Sequence, residues 1–106
     1  MNSRQKGKRG ELELAHFLTE HGFPARRGQQ YSGTETSADV LAEGLEDYHL
    51  EGKRVQSFQL YAALQQAIED GGGKKTPIVC HRRNNKEWVA VMRLEDLLAL
   101  IPKAKW

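Results

Sequence analysis

The sequence has 106 residues and a formal net charge of +2; 39% of the residues are hydrophobic and 28% are charged. This length predicts one domain, residues 1–106, that can bury a core without disulfides or a structural metal, and the charged fraction favours a large functional surface. No apolar run could span a bilayer and no apolar stretch follows the basic arm of residues 1–9, which excludes a membrane-anchored class. Together with Cys80, the one cysteine, this favours a cytoplasmic protein.

The first half of the chain predicts one helix and three strands. Residues 10–22, GELELAHFLTEHG, have helical periodicity and end in a glycine typical of a C-cap. A short strand is expected in FPARR, residues 23–27, and a loop in residues 28–37, which lack an apolar period. ADVLAEG and DYHLEGKRV, residues 38–44 and 47–55, predict two strands joined by a turn. The apolar face of the helix is expected to contain Leu12, Ala15, Phe17 and Leu18.

The second half predicts a helix, a hairpin and a final helix. The first of these is expected in residues 57–73, with Ser57 as N-cap and three glycines at its end. Residues 76–82 and 87–92, TPIVCHR and EWVAVM, are apolar runs around a polar turn, as in a β-hairpin, and a short helix is expected in residues 93–101. The order αβββαββα predicts an α/β fold in which helices flank a mixed sheet. The expected apolar stripe of the second helix is Phe58, Tyr61, Leu64 and Ile68.

Basic residues lie in clusters along the chain. Such clusters are the expected footprint of a phosphate-backbone partner, although ordinary solvated charge is an alternative that composition leaves open. The candidate DNA-binding residues are Lys6, Lys8, Arg9, Arg26, Arg27, Lys74, Lys75, Arg82 and Arg83.

Glu51 and Lys53 belong to the third predicted strand. Residues two apart in a strand point to the same face, so this carboxylate and ammonium stand side by side while Gly52 faces the other way. Pairing across the turn would bring Asp39 near Glu51. Two close carboxylates repel unless a cation joins them, and hard oxygen ligands suit Mg²⁺. The pattern predicts a metal site in which Lys53 orients a water or stabilises charge on phosphate; a cross-strand salt bridge is the alternative.

The arrangement D-x(11)-E-x-K behind a glutamate-bearing helix resembles the PD-(D/E)XK nuclease superfamily, and within it the archaeal-type and phage Holliday junction resolvases. The matching segments are KGKRGELELAHFLTEHGF, ARRGQQYSG, SADVLAEG and LEGKRV, and the resemblance covers roughly residues 5–100. It implies a restriction-endonuclease-like fold and a Mg²⁺-dependent endonuclease of DNA recombination and repair, with Mn²⁺ as an expected substitute. It also implies branched or junction DNA as the partner and a homodimer, for which the second helix and the last hairpin are candidate interfaces.

The resemblance assigns roles to individual residues. Glu11 matches the helix glutamate that completes the metal site, with Glu13 as the alternative. Asp39 and Glu51 match the two principal metal-binding carboxylates, and Lys53 matches the catalytic lysine. The other expected site groups are the carbonyl of Gly52 as a metal ligand, a helix glutamine at Gln65 or else Gln66, and Ser32 in a substrate-contacting loop.

The sequence departs from the family pattern at two positions. Ala38 replaces the proline of the PD motif, which does no chemistry. Gly52 replaces the valine, isoleucine or cysteine that usually packs into the core between the glutamate and the lysine. Glycine keeps the carbonyl but weakens a strand and leaves a gap on the buried face. On this basis Gly52→Val is expected to raise stability by about 1 kcal/mol.

Other functions and sites stay open or are disfavoured. A VRR-NUC-type nuclease acting on flaps or other branched DNA would carry the same motifs, and a non-catalytic nucleic-acid-binding module could share the fold. GGGKKT, residues 71–76, lacks the spacing and the strand-to-helix order of a phosphate loop, so no nucleotide cofactor is expected. The histidines show no paired metal-ligand spacing, although His49 shares the face of Glu51 and Lys53. Cys80 is expected in the core.

Overall fold

The computed structural model describes residues 3–28 and 39–105. Within these residues the chain forms three helices and five strands, in the predicted order αβββαββα. The elements are α1 (Ser3–Glu20), β1 (Ala25–Arg27), β2 (Val40–Ala42), β3 (Tyr48–Arg54), α2 (Leu60–Gly71), β4 (Thr76–Arg82), β5 (Val89–Val91) and α3 (Leu94–Leu100).

The strands form one mixed sheet in the order β1-β2-β3-β4-β5. Neighbouring strands are antiparallel except β3 and β4, which run parallel over all of β3, from Tyr48↔Thr76 to Arg54↔Arg82. Parallel strands need a long crossover connection, and α2 supplies it. The prediction of an α/β fold with a mixed sheet is confirmed.

The two longer helices cover opposite faces of the sheet. On one face, Leu14 and Ala15 of α1 form a core with Val40, against which Cys80 packs. On the other face, Ala63 and Ala67 of α2 form a core with Val79. Because successive residues of a strand point to opposite faces, Val79 packs in the core under α2 and Cys80 packs in the core under α1. The prediction that Cys80 packs in the core is confirmed.

The first helix is longer than predicted. It begins at Ser3, so residues 3–9 of the basic arm are helical. Gly7 and Gly10 lower helix propensity there, which is why the sequence pattern placed the start later. The buried leucine is Leu14, whereas Leu12 is 48% exposed, so the prediction of Leu12 on the core face is wrong.

The second helix also differs from its prediction at the N-terminus. It begins at Leu60 after Gln59, without a side-chain cap, so Ser57 is not the N-cap. Tyr61 is 84% exposed and does not belong to the buried stripe. The residues that face the sheet are the small Ala63 and Ala67, because small side chains let a helix approach closely.

The last helix, α3, buries none of its residues. Five apolar residues at α3 are between 40% and 66% exposed and form what we call the α3 apolar surface. They are Leu94, Leu97, Leu98, Leu100 and Ile101. Exposed apolar patches on a protein surface are typical of interaction sites. No helix in residues 3–28 or 39–105 is long and apolar enough to cross a membrane.

Candidate active site

The site begins where β2 and β3 separate. The two strands are in register at Val40↔Leu50, and the Asp39 N–H donates to the Leu50 carbonyl at 3.1 Å. Farther along β3, the Gly52 N–H donates instead to the Asp39 carboxylate, at 3.0 Å from Oδ2. The Asp39 side chain thus takes the place of a β2 carbonyl as the acceptor for the Gly52 N–H, since a backbone N–H inside the protein needs a hydrogen-bond partner. This bond fixes the Asp39 carboxylate between the strands.

Glu51 and Lys53 lie on the face of the sheet that α2 covers. Glu51 is only 2% exposed, while Lys53 is half-buried. His81, the β4 partner of Lys53, donates from Nδ1 to the Lys53 carbonyl at 2.8 Å. The His81 ring also stacks on Phe58, with 4.0 Å between ring centroids. Lys53 therefore projects from a strand whose backbone is fixed by its pairing with β4.

The electrostatics of Asp39 show that the predicted residues converge. Burial raises the pKa of Asp39 to about 6, against the lowering effect of the Gly52 hydrogen bond. The charge of Glu11 also raises this pKa, and the charge of Lys53 lowers it. Burial raises the pKa of Glu51 as well, and the charge of Asp39 adds to the rise. The fold therefore brings Glu11, Glu51 and Lys53 within interaction range of Asp39.

The structure separates the two alternatives for the helix glutamate. Glu11 is 8% exposed and accepts a hydrogen bond from Arg27 Nε at 3.0 Å. Glu13 instead accepts from Arg54 Nε at 3.1 Å and from Arg82, which ties α1 to β3 and β4. Glu11 is therefore the α1 carboxylate at Asp39. Sequence reasoning missed that Arg27 neutralises it.

Sequence reasoning also missed the neighbours of Glu51 on the α2 side. His49 Nε2 lies 3.0 Å from Glu51 Oε1, and the ligand atoms of His49, Glu51 and Asp70 all lie within 4.8 Å of one another. Asp70 follows Ala63 and Ala67 at helical spacing, which is the signal that could have identified it.

The predicted helix glutamines lie elsewhere on α2. Both Gln65 and Gln66 are exposed, and the Gln65 amide donates to Glu69 at 3.2 Å on the outer side of the helix. The α2 side chain that interacts with Glu51 is Asp70. A role for either glutamine stays a prediction.

The predicted DNA-binding residues are spread over both ends of the sheet. Lys74 and Lys75 precede β4, which begins opposite Tyr48, about 16 Å along the strand from Lys53. Arg82 is half-buried and bonded to Glu13. Lys6 lies within α1, and Ser32 lies outside the described residues. The exposed members of the set are Lys8, Arg9, Arg26, Lys74, Lys75 and Arg83.

A known structure shares this arrangement of elements. The chain matches Hjc of Archaeoglobus fulgidus, a Holliday junction resolvase from an archaeal hyperthermophile, with a TM-score of 0.60 and 20% sequence identity. The match covers 81% of this chain and 76% of the other. The fold is that of a Holliday junction resolvase. No protein-family model matches the sequence, and no curated protein does. At this identity the likeness establishes the resolvase fold, and the site has to be argued from its own residues.

The side chains at this point of the resolvase fold suit a hard divalent cation. Glu51 is buried, Asp39 is half-buried close to it, and Glu11 adds a third carboxylate within range of Asp39. Buried like charges of this kind are stabilised by a cation between them, and all-oxygen donors match Mg²⁺. The Gly52 carbonyl lies on the same strand, between Glu51 and Lys53.

The face of Gly52 is already filled in this resolvase fold. A Cβ built on Gly52 would lie 3.3 Å from Leu14 Cδ2, closer than an ordinary van der Waals contact. The expected gap is therefore absent, because α1 packs directly on the strand. We now expect Gly52→Val to lower the free energy of unfolding by about 1–3 kcal/mol through overpacking, measured by urea denaturation. In a double-mutant cycle with Leu14→Ala, part of this loss should disappear. A valine variant more stable than the parent would contradict this prediction.

The raised pKa of Asp39 predicts how stability changes with pH. The pKa rises from 3.8 to about 6 on folding, so between these values the folded state binds more protons than the unfolded state. The free energy of unfolding of the metal-free protein should therefore fall as pH rises through this range. Its melting temperature should be higher near pH 5 than near pH 7 when measured in a metal chelator. Asp39→Asn should reduce this difference, and an unchanged pH dependence in that variant would contradict the assignment.

Proposed function

We propose that this chain is a Mg²⁺-dependent, structure-selective DNA endonuclease that acts as a Holliday junction resolvase. The observation that carries the proposal is the convergence of three carboxylates and a lysine where β2 and β3 separate. Glu11 lies on α1, Asp39 lies just before β2, and Glu51 and Lys53 lie on β3. The charges of Glu11 and Lys53 act on Asp39, and the charge of Asp39 acts on Glu51. A solvated salt bridge would not require burying Asp39 and Glu51 side by side.

The proposed chemistry is hydrolysis of a phosphodiester bond by water. Mg²⁺, or Mn²⁺ in its place, would acidify a water and polarise a phosphoryl oxygen when bound. Asp39 and Glu51 would hold the ion together with the Gly52 carbonyl. The Lys53 ammonium would orient the attacking water or stabilise the charge that develops on the phosphate. Glu11 would complete the site, and its partner Arg27 is exposed enough to contact the DNA backbone.

The proposed substrate is branched DNA. The exposed basic side chains at both ends of the sheet can contact phosphates, which position the enzyme without reading sequence. Lys8 and Arg9 lie on the exposed side of α1, just before Glu11. We propose that the protein acts as a homodimer, because a four-way junction needs two symmetric cuts. The α3 apolar surface is the feature that supports a second copy.

The test is cleavage of a labelled four-way junction, with a flap of the same sequence as the competing substrate. Symmetric cuts that need Mg²⁺ and disappear in Asp39→Ala are expected. Asp47→Ala is a matched control, because Asp47 is an exposed carboxylate in the turn before β3. Preferred cleavage of the flap would favour the VRR-NUC-type alternative. Tight junction binding without cleavage in Mg²⁺ or Mn²⁺ would favour a non-catalytic binding module.

A further inference from the structure

The imidazole of His49 is bonded to Glu51 inside the protein. Both residues are 2% exposed, and His49 Nε2 lies 3.0 Å from Glu51 Oε1. An ionised carboxylate only accepts hydrogen bonds, so this ring nitrogen donates. The two side chains are two positions apart on β3 and share its α2 face. One oxygen of Glu51 is thereby anchored by a side chain of its own strand.

The last turn of α2 holds this imidazole in place. A Cβ built on Gly71 would lie 3.4 Å from His49 Cβ, so the helix backbone packs directly over the histidine. The neighbouring residue, Asp70, directs its carboxylate to the same spot, and its ligand atom lies within 4.8 Å of those of His49 and Glu51. Besides burial, the proximity and the charge of Asp70 raise the pKa of Glu51.

The His49, Glu51 and Asp70 side chains thus form one cluster of two carboxyl groups and an imidazole. A buried carboxylate beside another is unfavourable unless its charge is used. Side chains that hydrogen-bond a metal-binding carboxylate fix its orientation and are needed for full metal affinity. Asp70 would further add negative potential on the side of Glu51 that faces α2.

We propose that His49 and Asp70 are positioning residues that orient Glu51 for the cation it shares with Asp39. This inference rests on the proposed function. It assigns to α2 a direct part in the metal centre, through Asp70.

The experiment measures Mn²⁺ affinity of the whole chain, from the electron paramagnetic resonance signal of free Mn²⁺. His49→Leu should weaken binding by roughly 10–100-fold, and His49→Gln, which keeps an N–H donor, should retain most of the affinity. Asp70→Asn keeps a hydrogen-bonding side chain but removes the charge, and should weaken binding by about 10-fold. Glu69→Gln is the matched control, because Glu69 is the adjacent carboxylate on the exposed side of α2.

The outcomes separate this inference from the proposed function. If Asp39→Ala abolishes Mn²⁺ binding while His49→Leu and Asp70→Asn bind like the parent, the metal site stands and the positioning roles are overturned. Equal losses in His49→Leu and His49→Gln would also overturn the role of His49, since packing alone would explain them. A parent chain that binds no Mn²⁺ would overturn both the proposed function and this inference. Circular dichroism of each variant checks that the affinity is measured on folded protein.

Discussion

Replacing Lys53 with alanine should slow junction cleavage by roughly 10²–10³-fold while leaving junction binding almost unchanged. The loss is expected because, in the proposed mechanism, the ammonium stabilises charge that develops only in the transition state. Exposed lysines contribute to ground-state binding instead. The strand around Lys53 is held by β4 through His81, so the substitution should leave the backbone in place. Single-turnover cleavage, with binding measured separately in Ca²⁺, gives both quantities.

Two further variants sharpen this result. Lys53→Arg keeps the charge but changes its shape and reach, and should restore little of the rate. Lys75→Ala removes an exposed lysine at the other end of the sheet, and should weaken binding slightly without a comparable loss of rate. Because the charge of Lys53 lowers the pKa of Asp39, the alanine variant should also need a higher pH for its residual activity. Cleavage by Lys53→Ala at the parental rate would remove Lys53 from the mechanism.

Introducing charge into the α3 apolar surface should convert the proposed dimer into monomers. Leu98 is 57% exposed at the end of α3, and Leu98→Lys would bury an ammonium in any interface built on this surface. We expect the dimer dissociation constant to rise by about 30-fold or more, which corresponds to a hot-spot loss of about 2 kcal/mol. Sedimentation equilibrium measures this directly. Paired cuts on one junction should become single nicks at the same protein concentration.

Two other exposed apolar residues test the competing interfaces. Tyr61→Lys changes the exposed side of α2, and Val89→Lys changes the last hairpin. If one of these variants dissociates while Leu98→Lys remains a dimer, the interface is formed by the element that carries that variant and not by α3. A parent chain that sediments as a monomer even when bound to a junction would overturn the homodimer.

The element order and the proximity of Asp39, Glu51 and Lys53 were predictable because they depend on local patterns, whereas Glu11 was assigned by the family resemblance. The alternating direction of side chains in a strand predicted that Glu51 and Lys53 share one face. The short turn before β3 predicted that Asp39 lies beside them. Nothing local indicates which helix covers which face of the sheet. The contact of Leu14 with Gly52 and that of Asp70 with Glu51 both follow from that choice, and both were missed. The expected stabilisation by Gly52→Val depended on a gap that tertiary packing fills.

The pairing of β3 with β4 has a consequence for a chain whose synthesis is not complete. All the proposed catalytic groups lie in the first 53 residues, yet every residue of β3 pairs with a β4 residue 28 positions later. The contact between β2 and β3 is short, and α2 must cross the sheet before β4 can pair. A nascent or truncated chain that stops before β4 therefore carries every reactive side chain without the strand that aligns them. If the proposed function is right, we expect an incomplete chain of this kind not to cleave DNA until β4 has been synthesised and paired with β3.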